Sequence, residues 1–167
     1  MNILLIQACG TFTPKFIHSI FGIWSSLTLE QIASVTPNKH TVTMIKDLSD
    51  RRLRNLDYNQ YDIVGISYYT ATANIAYKLA DEIRKYNVPV VLGGFHATAL
   101  PDEAKTHADS VVIGEGEIVW PKLLKDFEYK GKMKPFYIQE KPIKSENIPC
   151  NTGKTTSILP VYSIEAS

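Results

Sequence analysis

Four stretches of the 167-residue chain combine residue types that suit holding a ligand: Cys9-Gly10-Thr11-Phe12 at the head of "CGTFTPKFIHSIFGIWSS", Ser67-Tyr68-Tyr69-Thr70, Gly93-Gly94-Phe95-His96-Ala97-Thr98, and Gly114-Glu115-Gly116-Glu117. Paired glycines permit positive φ and let a ligand approach the backbone with no Cβ in the way. Gly93-Gly94 therefore suits a large flat ligand, or else a tight strand-to-helix turn. Ser67 and Thr70 offer hydroxyls near a helix N-terminus, where anions and polar tails gain about 0.3–1 kcal/mol each; Thr70 can equally serve as a plain N-cap. His96 can contact a metal or phosphate, or act as a loop hydrogen-bonder. Glu115 and Glu117 form an acid pair, or place carboxylates where the first free N–H groups of a helix need acceptors. No serine-histidine-acid or cysteine-histidine set assembles from these positions, so binding is expected rather than autonomous catalysis.

The elements that must position these residues are legible in the hydrophobic pattern. Ile3–Ile6, Ile63–Ile66, Val88–Leu92 and Val111–Ile113 are continuous apolar runs, which suits strands covered on both faces of a parallel sheet. His40–Lys46 alternates polar and apolar and fits an edge strand. Between them, Thr28-Leu29-Glu30-Gln31 has capping-box spacing, with Thr36-Pro37 as a stop. Ile75, Leu79, Ile83 and Tyr86 mark a helical face that Asn87 and Pro89 close. Leu100-Pro101-Asp102-Glu103 opens a short helix. Ile118, Leu124 and Phe127 suggest a last helix, with Pro121 tolerated in its first turn, and 51–59 is expected to form a short helix. Five alternations of strand and helix predict an α/β fold: a doubly wound, five-stranded parallel sheet, flavodoxin-like or Rossmann-like, in the order 2-1-3-4-5 over residues 1–128. Beyond about residue 129 the pattern gives way to polar, proline-bearing sequence that reads as a linker or flap. In such sheets ligands bind beyond the carboxyl ends of the strands, where all four stretches fall.

Composition narrows the function. With 18 Lys plus Arg against 17 Asp plus Glu and a formal charge of +1, the chain lacks the basic footprint that nucleic acid requires. Arg51-Arg52-Leu53-Arg54, beside Asp50, reads as a solvated helix face. No apolar run approaches the roughly 20 residues of a membrane span, and a soluble, cytoplasmic protein is expected. The two cysteines, Cys9 and Cys150, lack the spacing of a zinc site and read as reduced apolar residues. Phe12, Phe16, Ile20, Phe21, Ile23 and Trp24 are many apolar residues for one loop, pointing to a domain interface, a ligand wall or a segment folded back on the core.

Three segments, "VGISYYTATANIAYKLADEIRK", "VPVVLGGFHATALPDEA" and "SVVIGEGE", resemble the N-terminal cobalamin-binding domain of cobalamin-dependent radical S-adenosylmethionine enzymes, including those similar to magnesium-protoporphyrin IX monomethyl ester oxidative cyclase. The resemblance spans about residues 1–128. It implies that cobalamin binds along the four stretches, with Gly93-Gly94 lining the tail or the corrin edge, Ser67 contacting the tail, and Cys9–Phe12 on the same rim. It also implies methyl transfer or oxidative cyclisation performed with a C-terminal barrel that carries a 4Fe-4S cluster and S-adenosylmethionine. "SILPVYSIEAS", Ser157–Ser167, resembles the strand leading into that barrel's C-x-x-x-C-x-x-C motif, so the chain is expected to be a fragment of a longer enzyme. Mutase and methionine synthase domains carry D-x-H-x-x-G after the first strand; here Phe16 stands in place of the aspartate before His18, and Gly22 lies one residue too far. Histidine ligation of cobalt is therefore not expected. Two alternatives stay open: a flavodoxin-like nucleotide module using Cys9–Thr13 as a phosphate loop, and a pure docking domain. A phosphoacceptor receiver is disfavoured by Ser67, where an aspartate is needed.

Overall fold

The computed structural model describes residues 1–8, 27–45 and 56–139. Its strands are β1 (Asn2–Gln7), β2 (Thr41–Ile45), β3 (Ile63–Ser67), β4 (Val90–Gly93), β5 (Ser110–Ile113) and β6 (Phe136–Ile138). They form one sheet in the order β2-β1-β3-β4-β5-β6, and every neighbouring pair is parallel. The expected α/β class and the order 2-1-3-4-5 hold for the first five strands, with the alternating strand His40–Lys46 appearing as edge strand β2. The helices are α1 (Leu27–Val35), α2 (Ala73–Arg84), α3 (Phe95–Ala99), α4 (Pro101–Thr106) and α5 (Gly116–Lys130).

Period-two alternation sends successive strand residues to opposite layers. Leu4, Ile6, Val64, Ile66, Val90, Leu92 and Val111 face a core completed by Ala76, Ala80 and Ile83 of α2, Ala97 of α3 and Ala104 of α4. Ile3, Leu5, Ile63, Val91 and Val112 face the other core, completed by Leu29 of α1 and by Val119, Trp120, Leu123 and Leu124 of α5. Both faces are covered, which is why four of the strands read as unbroken apolar runs.

Several local expectations shift. The sixth strand lies in sequence read as linker or flap; three residues are too few to show a period. Tyr137 anchors it, its hydroxyl donating to Asp126 Oδ2 at 2.9 Å and accepting from the Lys134 N–H at 3.2 Å. Lys130, and then Tyr137, hold the Asp126 carboxyl below its usual range. Thr28 is the second residue of α1 rather than its cap. The buried face of α2 is centred on Ala73, Ala76, Ala80 and Ile83, whereas Tyr86 lies past its end, 42% exposed, against Tyr58. In α5, Ile118 is half-exposed because the buried stripe runs through Trp120, Leu123 and Leu124. Pro121 is the sixth residue of that helix, beyond the first turn, and removes the hydrogen bond that its nitrogen would make to the Glu117 carbonyl. Of the expected helix at 51–59, residues 51–55 lie outside the described residues, and the chain then forms a 3-10 turn over Tyr58–Gln60, capped by the Asp57 carboxylate.

The first core also buries two phenols. Burial pushes the Tyr58 hydroxyl up from 10.0 to about 12. Tyr68, whose hydroxyl reaches only Tyr77 within the core at 3.4 Å, is raised further. A folded-state pKa above the unfolded value gives stability that is complete below about 10 and is lost as pH rises toward the folded value. Urea midpoints measured across the tyrosine titration range are expected to fall from about pH 10 upward; a flat profile there would contradict the burial of these hydroxyls.

Candidate cofactor-binding cavity

On the α1/α5 side of the sheet the central strands carry little side-chain bulk near their carboxyl ends. β3 presents Gly65 and then Ser67 to this face, and β4 ends in Gly93. A Cβ on Gly65 would lie 3.0 Å from Leu5 Cδ2 and 3.3 Å from Trp120 Cη2, so glycine here lets both side chains pack against the β3 backbone at the edge of the cavity. A Cβ on Gly116 would lie 2.7 Å from Ile32 Cδ1, and its absence lets α1 and the start of α5 close over the sheet. The result is a cavity of about 370 Å³ opening at the carboxyl edge, within the usual range of roughly 300–1,000 Å³ for small-molecule sites.

Its floor is formed by Leu5, Gly65, Val91, Val112 and Trp120, and its mouth includes Ser67, Tyr69, Gly93, Gly94, Phe95, Thr98, Gly114, Glu115 and Gly116. With Glu117, ten positions of the four stretches thus converge. Gly94 has φ 104°, and a Cβ there would sit 2.7 Å from the Tyr68 carbonyl oxygen and 3.1 Å from Ser67 Oγ, so the two rim loops touch through the missing side chain. Tyr69 and Phe95 stack at the rim with centroids 5.7 Å apart and planes 19° from parallel. Thr98 Oγ1 accepts the Gly114 N–H at 3.0 Å and ties the β4 and β5 loops together. Glu115 is the residue before α5, but its side chain makes no cap hydrogen bond, contrary to the capping role expected of it.

Three predicted site residues belong elsewhere. Tyr68 is fully buried in the opposite core. His96, 7% exposed, lies 5.7 Å from the Tyr68 ring, and its Nδ1 is 3.1 Å from Thr70 Oγ1. Its Nε2 faces Glu103 at 3.6 Å. His96 and Thr70 therefore join the β3 and β4 loops to each other and do not line the cavity. The reason is helical geometry: α3 begins at Phe95, and neighbouring helical residues point about 100° apart, so Phe95 meets Tyr69 at the rim while His96 turns toward Tyr68. Cys9, Gly10, Thr11 and Phe12, together with the aromatic loop, His18 and the segment after residue 139, lie outside the described residues.

Sequence reasoning missed the floor and the α1 wall, where Thr28, Leu29, Gln31 and Ile32 line the cavity. The available signal was Gly65 inside the apolar run "IVGIS", since an interior strand glycine often marks a close approach. Among the described residues no group of three or more His, Cys, Asp or Glu is placed to hold a metal ion, and no helix is long and apolar enough to cross a membrane.

An open parallel α/β sheet with a ligand-sized cleft at the carboxyl ends of its central strands defines a small-molecule or cofactor-binding domain. The B12 binding domain family matches residues 15–124, and the chain belongs to that family. It is 40% identical over 100 residues to bacteriochlorophyllide d C-8(2)-methyltransferase of Chlorobaculum tepidum, covering 60% of this chain and 22% of that protein. It is 35% identical over 111 residues to bacteriochlorophyllide d C-12(1)-methyltransferase of the same organism, covering 66% of this chain and 24% of that protein. The matched region spans less than a quarter of the length of either relative.

The cavity fits the tail of such a cofactor. A mainly apolar lining that also carries the hydroxyls of Thr28, Ser67 and Thr98 suits an aromatic nucleotide base joined to a polar linker.

Proposed function

We propose that this chain binds cobalamin and positions it for methyl transfer, with the nucleotide tail in the cavity and the corrin over the rim. The observation that carries this reading is the cavity of about 370 Å³ at the carboxyl ends of the central strands, bordered by Gly65, Ser67, Gly93 and Gly94. Ser67 would hold the polar linker, Gly93 and Gly94 would admit the corrin edge without obstruction, and the stacked Tyr69–Phe95 pair would offer an apolar ledge that excludes water from that edge. Cobalamin, when bound, supplies a cobalt centre able to carry a methyl group. The chain's own task is to bind, orient and desolvate.

The names of both relatives favour methyl transfer over oxidative cyclisation. Their greater length supports a second unit working with this one, which we take to be a radical S-adenosylmethionine barrel bearing a 4Fe-4S cluster. Hydroxocobalamin titrated into the chain is expected to give a saturable change in its visible spectrum, with no corresponding binding of flavin mononucleotide. No saturable binding of cobalamin would leave the pure docking domain as the better account; binding of the flavin alone would favour the flavodoxin-like one.

A further inference from the structure

Resting on the cobalamin reading above, we infer that His96 is a positioning residue of the rim: its hydrogen bond with Thr70 holds the Tyr69–Phe95 ledge in place before a corrinoid arrives. Beyond their last ladder pair, Ser67 with Gly93, the β3 and β4 loops stay in step. The Tyr68 N–H donates to the Gly93 carbonyl at 3.2 Å, the Tyr69 and Phe95 rings stack, and Thr70 Oγ1 meets His96 Nδ1 at 3.1 Å. The ledge is the middle member of this run of cross-loop contacts.

By itself the stacked pair is poorly held. Tyr69 and Phe95 are 44% and 75% exposed, and there a ring contact gains little against the entropy of ordering two side chains. His96 is fixed by contrast. Its buried ring tilts against Tyr68 at 5.7 Å and Tyr77 at 6.2 Å, its carbonyl accepts the Leu100 N–H at 2.9 Å, and its Nε2 faces the Glu103 carboxylate at 3.6 Å. Residues of α2, α3 and α4 thus surround the imidazole to which Thr70 is tied. Thr70 opens a 3-10 turn, Thr70–Thr72, in which the Thr72 hydroxyl accepts the Tyr69 N–H at 3.1 Å, so fixing Thr70 also fixes the backbone that carries the Tyr69 ring. Phe95 is the neighbour of His96 on the other loop. Neither Thr70 nor His96 lines the cavity, and both act on a ligand through the ledge. A surface ordered in advance spares binding the cost of ordering it.

The test removes the Thr70 end of the bond, because replacing the buried imidazole endangers the core. Thr70 is exposed, and Thr70→Val keeps its shape without the hydroxyl. In a spectroscopic titration Thr70→Val is expected to weaken hydroxocobalamin by roughly 2- to 10-fold, the worth of one hydrogen bond. It is also expected to shift the ring-proton resonances of Tyr69 and Phe95 in the ligand-free chain, and Thr70→Ser to restore both. With Phe95→Ala already in place, Thr70→Val is expected to cost no further affinity, since the ledge through which it acts is gone. Native affinity and native ring resonances in Thr70→Val would overturn the inference. An equal loss with and without the Phe95 ring would do the same, marking the bond as a general support of the fold. Failure of the unaltered chain to bind hydroxocobalamin would remove the cobalamin reading, and the ring resonances would still decide whether the bond to His96 holds the ledge.

Discussion

Trp120→Ala is expected to lower the stability of the fold by about 3–5 kcal/mol, the range for deleting a large buried aromatic side chain. Trp120 is 3% exposed and sits between Leu5 and Gly65 of the sheet and Thr36 at the end of α1. Truncation removes the wall that separates the cavity from the α1/α5 core and also leaves the Thr36 hydroxyl without its donor. Trp120→Phe keeps most of the packing and loses the hydrogen bond, so it is expected to cost only about 1 kcal/mol. Urea unfolding followed by circular dichroism separates the two variants, because the midpoint moves while the slope is retained. A Trp120→Ala midpoint within error of the unchanged chain would show that the indole does not hold α1 and α5 together.

Gly94→Ala is the second large effect. At φ 104° and ψ −171° the residue occupies backbone space that is nearly confined to glycine, and an alanine there costs about 1–3 kcal/mol in strain. The added Cβ would also stand 2.7 Å from the Tyr68 carbonyl oxygen, a backbone atom in a loop whose own N–H is tied to the Gly93 carbonyl at 3.2 Å. The β3 and β4 loops must then separate, displacing Ser67 and Phe95, so cobalamin affinity is expected to fall by about tenfold for each 1.4 kcal/mol transmitted to the site. Gly93→Ala is the control. Its Cβ would meet Val112 Cβ at 3.6 Å, an ordinary contact, and its φ lies outside the left-handed region, so near-native stability is expected. If both variants melt alike, the backbone of Gly94 is not what sets the rim.

That contrast shows how the two adjacent glycines, alike in sequence, differ in structure. One ends a strand and merely stays small; the other makes a turn that no side chain can follow. The same divergence separates Phe95 from His96. Glycines, hydroxyls and aromatics at strand ends were enough to indicate a binding rim, because a parallel sheet gathers its strand-end loops on one edge. Which member of each loop faces the cavity depended on where α3 starts and on how Thr70 meets His96, contacts between residues 26 apart.

By itself, the order of residues determined the class of fold, the sequence of the first five strands and the edge at which the cavity opens. Unbroken apolar runs alternating with amphipathic helices admit few other arrangements, since each run must be covered on both faces. The cavity was decided only in three dimensions. Its floor joins Leu5, Gly65, Val91, Val112 and Trp120 from five separate elements, and the hydrogen bond that orients Trp120 spans 84 residues. Packing across such distances leaves no local periodicity, and β6 likewise owes its place to Asp126 on α5 rather than to a pattern of its own.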